Sequence, residues 1–311
     1  MIPINAHQSA RKPTSWGKKI KSWLGDPIAY LMIAPAITLL LVFFYYPVFQ
    51  SFYMSLFDWP LLGERTFIGL GNYIAMFSDS VAIKAWKFTM VWTLVITPLI
   101  FLVGLLLAFL TSSTRKMMGI FRSIYFLPTI MMTVASGIIW RYFFSSQAYG
   151  LGNYILMRLK IISEPINFLG AVPQSIFSIA FSGVWMWVGL TMLLLVSAIQ
   201  SIPVKLHESA NIDGASWLQS SWYITFPLIR SSFGMAMIIS VIGSFLSFAE
   251  FLIMTQGGPS HATTPILMWI YEQSFQYYHL GYGAALSFIL MIVLVILTII
   301  QLKFFHRPEE L

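Results

Sequence analysis

Six long apolar runs set the terms on which this chain can fold. They cover about residues 28–50, 87–111, 121–143, 174–200, 231–256 and 281–304. Each is long enough to cross a hydrocarbon layer of about 30 Å, which takes roughly 20 helical residues. The runs are continuous rather than alternating, and a backbone inside lipid has to satisfy its own N–H and C=O groups, so they read as helices. Composition agrees: 58% of the chain is hydrophobic and only 9% charged, against roughly a quarter charged in soluble domains. The expected fold is an all-α integral membrane protein. It comprises a basic segment at 1–27, a six-helix transmembrane domain at 28–304 and a short tail at 305–311.

The basic residues orient these helices. Arg11, Lys12, Lys18, Lys19 and Lys21 precede the first run, and no small-residue cleavage site follows it, so a retained first helix is expected rather than a signal peptide. With the N-terminus in the cytoplasm, 12 of the 18 Lys and Arg residues fall inside and 6 fall at outer ends. That bias predicts an N-in, C-in topology and a cytoplasmic loop at 201–230. The net charge of +7 is spread between apolar runs, which fits membrane topology and not nucleic-acid binding. Aromatic clusters such as Phe43–Tyr46, Trp140 with Tyr142, and Tyr277 with Tyr278 are expected at headgroup level, and Pro35, Pro98 and Pro128 are expected to kink their helices.

The loop reads SIPVKLHESANIDGASWLQSSWYITFPLIR. Pro203 suits the first turn of a short helix running to about Ile212, Gly214 permits a sharp turn, and Trp217, Trp222 and Tyr223 give the next stretch an amphipathic face. Glu208-Ser209-Ala210, three residues, Gly214, nine residues and Ile224-Thr225-Phe226-Pro227 resemble the E-A-A loop of ATP-binding-cassette importer permeases. Ser209 replaces an alanine of that pattern and Phe226 a leucine. Ile212–Ala215 narrows the resemblance to the carbohydrate-type branch (maltose- and glycerol-phosphate-like). Phe121–Pro128, Gly150–Asn153, Thr255–Pro259 and Gly281–Ala285 resemble further segments of that branch in order, over about residues 28–305.

The resemblance implies a type I importer permease fold in a bacterial or archaeal inner membrane. It implies that Glu208, Ser209, Ala210, Asp213 and Gly214 form a coupling helix moved by separate ATPase subunits, which bind ATP and Mg. The chain itself has no G-x-x-x-x-G-K-[ST] phosphate cradle. Further implied partners are a second, homologous permease subunit, in a heterodimer, and an extracytoplasmic solute-binding protein.

Polar groups inside apolar runs are the candidates for a solute pathway. On the fifth run, Ser240, Ser244 and Ser247 share one helical face, with Gly243 beside them and Glu250 at the edge. On the fourth, Gly183, Trp187 and Leu190 form a face with Thr191 adjacent. The resemblance implies that these two spans, which flank the loop, line the solute cavity. Hydroxyls and a flat indole suit a neutral polyhydroxyl solute, while small residues at such spacing also serve helix packing. Glu250 could accept solute hydroxyls, act as a gate, or pair with Arg141. With no cysteine and His207, His261, His279 and His306 scattered, no metal site is expected. Neither a membrane enzyme nor a secondary transporter is favoured, since convergent acids, paired intramembrane charges and an inverted repeat are not evident.

Overall fold

The structure, a computed structural model, describes residues 27–113, 115–147 and 150–305. The basic residues Arg11–Lys21 and the tail beyond Phe305 lie outside the described residues. The chain divides into two compact units, Met1–Tyr53 and Met54–Leu311. The described part of the first is helical throughout and belongs to α1, which starts at Pro27, passes through one π-helical turn at Leu41–Tyr45, runs unbroken past Pro35 and ends at Ser55, just inside the second unit. Every side chain from Tyr30 to Pro47 is exposed, which for so apolar a helix calls for lipid or protein around it.

The second unit contains α2 (Ser80–Thr111), α3 (Lys116–Ile130), α4 (Thr133–Phe143), α5 (Gln174–Gln200), α6 (Val204–Ile212), α7 (Phe226–Phe245), α8 (Ala249–Met254) and α9 (Leu280–Phe305). Among the described residues, counting α1, five helical stretches are long and apolar enough to span a membrane, and α3 with α4 supplies a sixth only as a pair bent by 96°. The third apolar run, expected as one helix kinked at Pro128, is therefore two helices with a sharp bend between them. Pro128 has no N–H to give the carbonyl one turn back, and Met131 and Met132 then adopt extended dihedrals (ψ 148° and 134°) before helix resumes.

Three buried apolar clusters hold the unit together, and α2 contributes to all of them. Ala82 and Ala85 of α2 pack with Phe245 of α7 and Leu286 of α9. Trp92 and Ile96 pack with Ile179 of α5 and Phe251 of α8. Ala108 packs with Met192 and Leu195 of α5 and Ile229 of α7. Small residues set the closest approaches, as expected where helices associate without a hydrophobic driving force. A Cβ added at Gly189 of α5 would lie 2.3 Å from the Tyr125 carbonyl oxygen of α3, so the two backbones touch there.

Helix α2 starts at Ser80 rather than at 87, and runs through Pro98 unbroken. Lys84 and Lys87 lower the hydropathy of its first turns, but such side chains lay their stems along the helix and keep their charge at the interface. Asp79 fixes this start. Its Oδ1 accepts from the Val81 and Ala82 amides at 2.9 and 3.0 Å, a helix cap. Its Oδ2 accepts from Trp269 Nε1 and the Tyr282 hydroxyl, both at 2.8 Å. Partial burial alone would push its pKa up, but these four hydrogen bonds outweigh that and leave it below the usual carboxylate range.

The fifth span also departs from expectation, at its start and by a break within it. It begins not near 231 but at Trp217, where Ser216 and Gln219 form a capping box. It then passes through a π-helical turn at Ser221–Thr225 into α7. The helix stops at Phe245, leaves Leu246–Phe248 outside helical structure, and resumes as α8.

Candidate functional site

A cavity of about 300 Å³ lies between α2, α5, α7 and α8, within the range that holds a small ligand. All nine pathway candidates line it. From α5 come Gly183, Trp187, Leu190 and Thr191. From α7 come Ser240, Gly243 and Ser244, and from the break and α8 come Ser247 and Glu250. The interruption at Leu246–Phe248 faces this space through Ser247. Non-helical backbone at membrane depth is tolerated where it borders a cavity.

The two glycines create room. A Cβ at Gly243 would meet nothing within 4 Å, and one at Gly183 only Ile96 Cδ1 at 3.8 Å. The hydroxyl stripe is divided in its tasks. Ser244 is buried; it bonds Thr93 Oγ1 at 3.1 Å and the Val241 carbonyl at 2.9 Å, and lies 3.4 Å from Thr97 Oγ1. It therefore joins α7 to α2. Ser247 donates to the Ser244 carbonyl at 3.0 Å and accepts from Trp92 Nε1 at 3.3 Å, while remaining partly open, as does Ser240.

The second span also furnishes wall residues that sequence reasoning missed, namely Trp92, Ile96 and Ile100. Thr89, Trp92, Thr93, Ile96, Thr97 and Ile100 recur every three or four residues, a helical face that spacing alone could have exposed.

Glu250 is 5% exposed. Trp187 lines the same wall of the cavity. The pairing with Arg141 does not occur; Arg141 Nη1 donates instead to the Ile253 carbonyl at 3.1 Å. Among the described lining residues no Lys, Arg or His is present.

Of the loop expected at 201–230, the first part forms the predicted short helix and turn, while the residues from Trp217 onward belong to the helix of the fifth span. Pro203 caps α6, which ends at Ile212, and Gly214 adopts φ +80°. That is a left-handed conformation open to glycine and costly for branched side chains. Helix α6 buries none of its residues. Glu208, Ser209, Asp213 and Gly214 are exposed and Ala210 partly so, and Val204 and Ile212 are 67% and 87% exposed. The helix is tied to the start of the fifth span by His207 Nδ1 and Ser220 Oγ, 2.8 Å apart. Exposed apolar side chains on a short helix tied in this way, Val204, Leu206 and Ile212, offer a surface for another protein.

Known proteins resemble this chain over most of its length. Residues 67–308 match the family model described as binding-protein-dependent transport system inner membrane component. The arabinooligosaccharides transport system permease protein AraP of Bacillus subtilis is 34% identical over 300 residues, covering 95% of this chain and 93% of the relative. The trehalose/maltose transport system permease protein MalF of Thermococcus litoralis is 34% identical over 283 residues, covering 89% and 92%. Among solved structures, a bacterial ABC transporter involved in import of the acidic polysaccharide alginate superposes with a TM-score of 0.79, at 21% identity over 95% of this chain and 99% of that one. At that identity the likeness speaks for the fold alone. The chain is a multi-pass membrane protein of the binding-protein-dependent transport system inner membrane component family, the transport permease subunit of an ABC importer.

Proposed function

We propose that this subunit carries a sugar or related polyhydroxyl solute through the cavity between α5 and α7, in a bacterial or archaeal inner membrane. The observation that carries the reading is the wall chemistry. Partly open serine hydroxyls exchange hydrogen bonds with a polyol, and Trp187 and Trp92 offer flat apolar faces to sugar rings. The sugar-transport names of the relatives support it. The lack of a cation among the described lining residues argues against a glycerol phosphate, whose dianion needs one. The acidic cargo of the alginate importer does not transfer on fold likeness alone.

In this reading α6 lies in the cytoplasm, as the Lys and Arg bias requires with the chain N-in and C-in. Glu208, Ser209, Ala210, Asp213 and Gly214 meet one of two ATPase subunits, which hold ATP and Mg. Closure of the ATPases moves α6. The His207–Ser220 contact and the helix running from Trp217 pass that motion toward Ser240–Glu250. A second, homologous permease completes the pathway, and an extracytoplasmic binding protein delivers the solute. The test is ATP-dependent uptake of labelled oligosaccharides into proteoliposomes holding the assembled transporter. Uptake of glycerol 3-phosphate but of no neutral sugar would overturn the proposal.

A further inference from the structure

Glu250 is the single charged side chain among the described residues that line the cavity. It is almost fully buried, and Arg141, the cation the sequence offers as its partner, is engaged with a backbone carbonyl. An ionisable group at such a depth is costly to keep and calls for a use. Glu250 borders the cavity, and a carboxylate has about four acceptor sites with which to meet donors there. The other walls are apolar or hydroxyl-bearing, and none can offset a second negative charge.

We propose that Glu250 is a charge filter. It accepts hydroxyl or ammonium donors from neutral or amine-bearing sugars, and excludes solutes carrying a carboxylate or phosphate. The inference rests on the sugar reading above and narrows it to non-anionic solutes. It also moves part of the selection into the permease, independent of any binding protein.

The test measures direct binding to the assembled permease–ATPase complex, without binding protein. Probes are maltose, cellobiose, lactose and arabinotriose, each paired with its aldonic acid, which differs by oxidation at C1 and carries one negative charge. Like charges within a few ångströms in a partly desolvated site change affinity by about tenfold or more. The unsubstituted complex is expected to prefer the neutral member by at least about that factor. Glu250→Gln keeps the shape and should bring the pair to within about threefold. Equal binding of both members by the unsubstituted complex would overturn the filter without reference to any variant, as would a preference that survives Glu250→Gln. If none of the four neutral sugars binds, the sugar reading itself fails and the filter falls with it.

Discussion

Replacing Gly243 with leucine separates a pathway residue from a packing residue. No atom lies within 4 Å of a Cβ built there, so the new side chain enters open space. Four added carbons, each displacing roughly the ~30 Å³ of a water, remove about 120 Å³. That is over a third of the cavity, whose volume is about 300 Å³. The fold should not suffer, because glycine inside a helix is the weaker residue by about 0.8–1 kcal/mol. The expected result is normal membrane insertion, an unchanged or slightly raised melting temperature, and uptake of labelled oligosaccharide reduced at least tenfold, by analogy with any blocked site (about 1.4 kcal/mol or more). Gly189→Ala is the control with the opposite outcome. Its Cβ would lie 2.3 Å from the Tyr125 carbonyl, and such overpacking costs about 1–3 kcal/mol, so it should lower stability first. Normal uptake by Gly243→Leu, or a loss of folding like that of Gly189→Ala, would refute the reasoning.

Gly214→Val forces a branched side chain into φ +80° at a local cost of about 1–2 kcal/mol. It should leave the transporter assembled but uncouple ATP hydrolysis from uptake, measured together in proteoliposomes. Ser244→Ala removes a buried hydroxyl that ties α7 to α2 and should cost about 1 kcal/mol of thermal stability. Ser247→Leu fills partly open wall and should instead change which sugars compete for uptake. Asp79→Ala deletes a cap worth about 0.5–2 kcal/mol, together with the acceptor of Trp269 and Tyr282. Because the native pKa of Asp79 lies below its ordinary value, its contribution is fully present above the unfolded value and is lost as pH falls through the native one. Melting curves of the parent and of Asp79→Ala should therefore converge on acidification.

Much of this was legible in the residues because lipid allows so few backbone solutions. Continuous apolar runs located all six segments, and the pattern from Glu208 to Pro227 located the short helix and the turn at Gly214. The faces of α5 and α7 were legible because 3.6-residue periodicity fixes which residues align. Periodicity says nothing about what a face meets, so the bond from Ser244 to Thr93 and the Trp92 wall appeared only once α2 was seen to reach all three buried clusters. The 96° bend of the third segment was hidden for a similar reason. Pro128 announces a weakness, but where the chain breaks depends on how α3 packs on α5 and α4 on α8, where a Cβ at Gly137 would sit 3.3 Å from Ile253. The early starts of the second and fifth spans were obscured by polar residues near the interface, Lys84 and Lys87 in one and Gln219 to Ser221 in the other.

The absence of cysteine from the sequence allows the central claim to be tested at one atom. A single cysteine at Ser240 in the assembled transporter can be probed with a membrane-impermeant maleimide added from one side, with and without ATP and sugar. Reactivity should switch sides with nucleotide state and fall when a transported sugar is present. A cysteine that reacts equally under all conditions, or that never reacts, would contradict a solute pathway between α5 and α7 driven through α6.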